Sequence, residues 1–177
     1  GRISSIRRSA DQKSRDIFVV NADGSGQSQL TTGVVIEGTA AWSPDGQRII
    51  AQVSVNNIST IARFTVGDDN KSVQQVILTA DLKSDSAFPA WSPDGKMVAF
   101  QSKRDGPLSQ VFVMDADGNN KLRVSDGNGF PGQPSWSPDG KYIAYASGAQ
   151  QVSGAQREIF VVPAAGGPPR QITNSGG

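Results

Sequence analysis

The sequence predicts an all-β fold assembled from a repeated four-stranded unit, and three observations carry that prediction. The pentapeptide Trp-Ser-Pro-Asp-Gly occurs at residues 42–46, 91–95 and 136–140, using all 3 tryptophans of the 177-residue chain, with its glycines 49 and 45 residues apart. A second motif alternates with it: DIFVVNADGSG (16–26), QVFVMDADGNN (110–120) and EIFVVPAAGGP (158–168), with a degenerate form TIARFTVGDDN (60–70). Finally, Val, Ile, Phe, Tyr and Thr dominate short runs punctuated by Gly, Pro, Asn and Asp, and no segment sustains a 3.6-residue apolar period.

Each unit of about 45 residues contains four strand-like pieces, here A to D. A ends at the tryptophan, B follows the turn glycine (as in 97–102), and C is the IFVV-type run. D is a short stretch, SQLTT, QVILT, KLRVS or RQITN. Four antiparallel strands at this period form the blade of a β-propeller, which buries its faces only when neighbours stack on it. A β-sandwich of short strands would not return the same motifs at a fixed period. The expected architecture is one propeller segment of four repeat units, roughly 1–35, 36–82, 83–127 and 128–177.

The spacing also places the first unit. From turn glycine to C strand is 15 residues (Gly46 to Ile61), 16 (Gly95 to Val111) and 19 (Gly140 to Ile159), and Gly1 to Ile17 is 16. Gly1 is therefore expected to stand at a turn glycine, which leaves the first unit without its innermost strand. After Ile172 and Thr173 there is no room for a further A strand. The result reads as a partial or half propeller, and two such chains related by a two-fold axis would form an eight-bladed ring, a homodimer.

Within B strands, Val98 and Phe100 share one face, as do Ile143 with Tyr145 and Ile49 with Ala51. Small Ala99 and Ala144 take the opposite face, with Ile50 the exception. Large-against-small alternation suits sheets packed about 10 Å apart. Ser-Pro-Asp-Gly reads as a tight turn: Pro presets φ, Asp accepts from the backbone two residues on, and Gly takes the positive φ at the exit. The tryptophan before it reads as packing between blades rather than as a repeated ligand pocket. Asp115, Asp117 and Asn119 alternate like the start of a calcium loop, but position twelve is Asp126 where an EF-hand needs glutamate. Other copies place Asn21, Pro163 and Ala165 at ligand positions, so the stretch reads as a C–D hairpin turn and no metal site is expected.

Composition excludes several functions. With 17 basic and 16 acidic residues the net charge is +1, which gives no electrostatic case for nucleic acid or an anionic membrane. There are 0 cysteines and 0 histidines, removing disulfides, thiolate sites, Ser-His-Asp arrangements and histidine bases or zinc ligands. No apolar run reaches the roughly 20 residues of a membrane helix, so no membrane insertion is expected. No signal peptide is present, and the start at Gly1 reads as that of a processed or excised piece. Glu37, Asp81 and Asp85 are scattered acids that compose no catalytic pair. The chain is expected to be non-enzymatic and without a cofactor.

Because strands alternate in direction, A–B and C–D turns share one face of the disc, and B–C and D–A connections the other. The first set is short and uniform. The second varies: 10–15, 55–59, 103–109 and 148–157 between B and C, and 32–38, 80–88 and 126–133 between D and A. Variable loops on a rigid scaffold are where recognition resides. Glu37, Phe88, Phe130 and Gln133, just before the A strands, and Arg104 and Asp105 in a B–C loop are the candidate partner-binding residues.

The copies FPAWSPDGKMVAFQSKRDG (88–106) and QPSWSPDGKYIAYAS (133–147) resemble the TolB-type, WD40-like β-propeller repeat, and the resemblance covers essentially the whole chain. It implies a bacterial, periplasmic or secreted protein. Members include a periplasmic component of the Tol–Pal system that binds other envelope proteins. Others carry the propeller beside a prolyl-oligopeptidase-like catalytic domain, where it acts as a gate. Related lyases hold a metal with propeller histidines, which this chain lacks. The resemblance implies a non-catalytic scaffold binding a protein or ligand through its variable face. The alternative is the propeller portion of a larger hydrolase whose catalytic domain lies outside these residues.

Overall fold

A computed structural model describes residues 1–9, 13–80, 84–127, 129–148 and 157–174. Asp81 and most of the 148–157 connection lie outside the described residues. Among those described there are fifteen strands and no helix. The first group is β1 (Arg2–Arg8), β2 (Arg15–Asn21) and β3 (Ser28–Gln29); the second is β4 (Val35–Trp42), β5 (Arg48–Val55), β6 (Ile58–Val66) and β7 (Val73–Ile77). The third is β8 (Ser86–Trp91), β9 (Met97–Ser102), β10 (Gln110–Asp115) and β11 (Leu122–Arg123). The last is β12 (Gly132–Trp136), β13 (Tyr142–Ser147), β14 (Glu158–Pro163) and β15 (Arg170–Gln171).

Each group is an antiparallel meander in chain order. A single parallel bridge, Arg15 with Val35, joins β2 to β4 and fuses the first two groups into a seven-stranded sheet. The D-type strands β3, β11 and β15 span only 2 residues each.

The period-2 alternation of the B strands sorts side chains between two neighbours. Ile49 and Ala51 join Ile17, Val19, Leu30 and Phe64 in a first core. Ile50, one residue along, points the other way and joins Ile61, Leu78, Val98, Phe100, Phe112 and Met114 in a second. Ala99 likewise turns from Val98 into a third core with Val111, Val113, Val124, Ile143, Tyr145 and Val162. Each core is shared by successive groups of strands, so no group buries its faces alone. Phe64 and Phe100 are fully buried, and each such burial contributes roughly 1.5–3 kcal/mol. Burial also pushes the Tyr145 hydroxyl up to about 12, so it stays protonated and serves packing.

The three tryptophans sit at these boundaries, one against each core. Trp91 Nε1 donates to the Ala41 carbonyl of the preceding sheet (3.2 Å), and Trp136 Nε1 to that of Ala90 (3.0 Å). The turns after them repeat atom for atom. Gly46, Gly95 and Gly140 donate to Ser43, Ser92 and Ser137 carbonyls, with glycine φ of 68°, 68° and 70°. Oδ1 of Asp45, Asp94 and Asp139 accepts the amide two residues on at 3.0, 3.1 and 3.1 Å.

Two expectations need correction. Ala22 N donates to Gly1 O (2.9 Å), the counterpart of Ala116 N to Lys96 O (2.8 Å) and Ala164 N to Lys141 O (2.9 Å). Gly1 therefore stands one residue past the turn-glycine position, and Arg2 and Ile3 correspond to Met97 and Val98. B–C connections differ in length, so equal spacing did not fix the register. Second, 55–59 is no variable loop. Val55 pairs with Ile58, and Asn56 and Asn57 alone turn the chain at φ 51° and 62°. Two consecutive positive φ angles define the hairpin turn that asparagine tolerates.

Candidate binding face

The two sets of connections separate as the alternation requires. At one end, C–D turns bond to the residues after the Ser-Pro-Asp-Gly turns (Val66 N to Gln47 O, 2.9 Å; Ala116 N to Lys96 O, 2.8 Å). At the other, B–C connections bond to D–A connections: Arg15 N to Val34 O (3.2 Å), Lys103 N to Asp85 O (3.2 Å) and Phe130 N to Gly148 O (3.2 Å).

At that second end each inner strand breaks register with its B strand. The shifts fall between Ile36 and Ala40, Ala87 and Ala90, and Gly132 and Ser135. Glu37, Phe88 and Gln133 lie inside these irregularities. Bulges re-aim side chains next to functional sites. Phe88 and Gln133 stand at equivalent places, each before a proline (Pro89, Pro134), with φ 52° and 54°. A non-glycine residue held there stores on the order of 1–3 kcal/mol of strain. Phe88 is 46% exposed. Because β8 lies against both β4 and β12, the three irregularities come to equivalent places on neighbouring inner strands.

Polar side chains support this arrangement. The Glu37 carboxylate accepts from Gln52 Nε2 (3.1 Å) and from the Ser59 hydroxyl. The Ser59 amide donates to Asp85 Oδ1 (3.2 Å), so one serine ties both acids. Gln101, at the position of Gln52 in the next sheet, approaches Gly132 so closely that a Cβ there would clash with Gln101 Oε1. Gln52, Ser59 and Gln101 were not among the sequence candidates. Gln52 and Gln101 carry a signal, a polar residue recurring at one position of otherwise apolar B strands, whereas Ser59, at the start of the C strand β6, carries none.

The remaining candidates lie elsewhere on this end. The Arg104 guanidinium sits 5.0 and 4.6 Å over the Phe100 and Phe112 rings and caps the second core. Asp105 Oδ2 lies 3.6 Å from Arg123 Nη1, which ties its loop to the outer strand β11. Phe130 is half-buried. Glu37, Phe88 and Gln133 thus form one set, while Arg104 and Asp105 belong to the sheet's own packing and outer edge.

Asp115 Oδ1 accepts the amides of Asp117 (3.0 Å) and Asn119 (2.8 Å), and Asp117 pairs with Arg63. This is a turn clamp. No group of three potential metal ligands occurs among the described residues.

Antiparallel meanders, one of three strands and three of four, stacked face to face with uniform turns at one end and irregular loops at the other, define the β-propeller class. Residues 51–177 match the TolB beta propeller domain, and the chain belongs to that family. It is 31% identical over 98 residues to "Uncharacterized peptidase YuxL" of Bacillus subtilis, covering 54% of this chain and 15% of that protein. It is 33% identical over 70 residues to "Protein TolB homolog" of Protochlamydia amoebophila, covering 40% and 14%. The crystal structure of TolB from Acinetobacter baumannii superposes with TM-score 0.73 at 23% identity, over 97% of this chain and 40% of that one. The chain therefore matches about one seventh of the length of these curated relatives.

Proposed function

We propose that the chain is a non-catalytic binding module that holds a protein partner at the end carrying Glu37, Phe88 and Gln133. In this reading it is a segment of a bacterial propeller, four units with the first lacking its innermost strand, working in the periplasm or as a secreted protein. The observation that carries it is Phe88: a large apolar side chain, 46% exposed, on a strained backbone at a repeated irregularity. Exposed aromatics held on rigid scaffold positions anchor partner recognition. Glu37, at the corresponding irregularity of the neighbouring inner strand, contributes a charge already oriented by Gln52 and Ser59. The test places a photo-crosslinking amino acid at position 88 in cells. A discrete protein adduct, lost when Glu37 and Gln133 become alanine, is expected. An adduct unchanged by those substitutions would overturn the reading.

A second reading is the propeller portion of a larger hydrolase. It is favoured by the 31% identity to a protein described as a peptidase, of which this chain covers 15%. The intact coding sequence separates the two: a downstream domain with a Gly-x-Ser-x-Gly nucleophile elbow makes the chain part of an enzyme.

A further inference from the structure

Two arginines span the boundary between the second and third groups of strands, at the end of the uniform turns. Arg48 lies 5.0 Å over the Trp91 ring, and its Nη2 donates to Gly95 O (3.1 Å) and Asp45 Oδ2 (3.0 Å). Arg63 donates to Ala116 O (2.7 Å) and pairs with Asp117. Arg2 repeats the first arrangement, 4.9 Å over Trp42 with Nη2 donating to Gly46 O.

The next boundary has neither arginine. Trp42 pairs across from Ile49 and Trp91 from Val98, so Met97 stands where Arg48 does. Arg63 pairs with Ile50 and Val113 with Ala99, so Val113 stands where Arg63 does. Neither replacement carries a side-chain donor. The receiving groups are nevertheless repeated. Trp136, Gly140 and Asp94 hold the places of Trp91, Gly95 and Asp45. Ala164 holds that of Ala116, since their amides donate to Lys141 O and Lys96 O alike.

These receiving groups, with Met97 and Ala165, line one cavity of about 530 Å³. Ligand sites span roughly 300–1,000 Å³. Asp94 Oδ1 accepts from the Ser92 hydroxyl (2.7 Å) and the Lys96 amide (3.1 Å), as Asp45 Oδ1 does from Ser43 and Gln47. The oxygen corresponding to the one Arg48 reaches is therefore Asp94 Oδ2. The Ser92 hydroxyl, and then the Lys96 amide, hold the Asp94 carboxyl below the ordinary 3.8, so it is charged at neutral pH. The cavity thus repeats the indole, carboxylate and turn carbonyl that receive a guanidinium one boundary earlier.

We propose that this cavity is a docking site for an arginine side chain presented by a partner protein. The guanidinium covers the Trp136 ring and donates to Asp94 Oδ2 and Gly140 O. Its apolar stem lies against the wall that Met97 provides. Arginine within a polypeptide fits better than the free amino acid. The lining carries Asp94 and Asp139 and, among the described residues, no cationic side chain, so a free α-carboxylate would meet like charge. Lys141 lies 3.9 Å from Asp139 Oδ2, an exposed pair that water screens. The site is independent of the partner face at the opposite ends of the strands.

The test titrates the chain with the blocked tripeptide acetyl-Gly-Arg-Gly-amide and follows the three indole N–H resonances. Saturable, millimolar binding that moves the Trp136 indole and leaves Trp42 and Trp91 in place is expected. The citrulline peptide, alike in shape but uncharged, should bind about tenfold more weakly, and the lysine peptide about threefold. Met97→Arg supplies a guanidinium from within the chain and should abolish the shift. Asp94→Asn should weaken binding about fivefold and decides the matter if Met97→Arg does not fold. No saturation at tens of millimolar peptide, equal binding of the citrulline peptide, or undiminished binding to either variant would overturn the proposal. Free L-arginine binding more tightly than the peptide would likewise overturn the assignment to a protein.

Discussion

The guanidinium of Arg48 lies 5.0 Å over the ring of Trp91, across the boundary between two sheets. Arg2 holds the same place over Trp42 at 4.9 Å, and at the third boundary the equivalent residue is Met97, which packs against the same core as Trp136. One position therefore accepts a cation and a thioether alike. What these side chains share is a long unbranched stem placed at the boundary beside a tryptophan. Arg48 also donates to Gly95 O (3.1 Å) and pairs with half-exposed Asp45, bonds that water screens. Arg48→Met is expected to change stability by less than about 0.5 kcal/mol, whereas Arg48→Ala costs about 1 kcal/mol. Urea unfolding of the two variants checks this, and equal losses would assign the contact to charge.

Ile61 and Ile159 are register equivalents with opposite surroundings. Each carbonyl accepts from the residue just past the last strand of its own group, through Leu78 N (2.8 Å) and Ile172 N (2.7 Å). Ile61 is 0% exposed against the next sheet, while Ile159 is 38% exposed on the outer face of β14. Ile61→Ala is expected to cost about 2–5 kcal/mol and Ile159→Ala under about 1 kcal/mol. The two-fold dimer expected from the repeat count makes the opposite demand. It covers this outer face, so the cost at Ile159 would approach that at Ile61 and grow with protein concentration. Unfolding at two concentrations, with light scattering, separates these outcomes.

Features set by strict alternation were legible before the structure. Ile49 and Ile50, or Val98 and Ala99, divide between neighbouring cores because side chains alternate with period 2, and the Ser-Pro-Asp-Gly turn follows from its residue chemistry alone. What depends on counting through connections was not. The one-residue displacement of Gly1 was hidden because B–C loops vary in length. The Asn56-Asn57 turn passed for a recognition loop because asparagine suits both. At the candidate face, sequence found Glu37, Phe88 and Gln133 through their place before the A strands, but not that each sits in a register break. Arg104 looked like an exposed loop cation. Its stacking on Phe100 and Phe112 depends on two aromatics from different strands being brought 5.8 Å apart.

Phe88 separates binding from stability. Its φ of 52° is unfavourable for a side chain and easy for glycine. Phe88→Gly removes that strain and loses the apolar contact of a side chain that is nearly half exposed. The midpoint of unfolding is expected within about 1 kcal/mol of the parent, while capture of a partner at this end is lost. Phe88→Ala should be less stable than Phe88→Gly, since alanine keeps the strained φ. The reverse order would mean that the bulge is held by the side chain rather than tolerated despite it.

Acid sensitivity should originate at the uniform turns. Hydrogen bonds from Ser43, Ser92 and Ser137 hydroxyls, and then from backbone amides, hold Asp45, Asp94 and Asp139 below the ordinary 3.8. Asp69 is held at about 2 by the Ser72 and Lys71 amides. Carboxylates whose folded pKa is depressed bind fewer protons folded than unfolded. Their contribution is therefore complete above the unfolded value near 3.8 and drains as pH falls through the folded values. The melting temperature is expected to stay level from about pH 7 to 5 and to fall between about pH 4 and 2. Replacing Asp45, Asp94 and Asp139 together by asparagine should lower the melting temperature at neutral pH and flatten the acid limb. An undiminished acid limb in that variant would place the sensitivity outside the Ser-Pro-Asp-Gly turns.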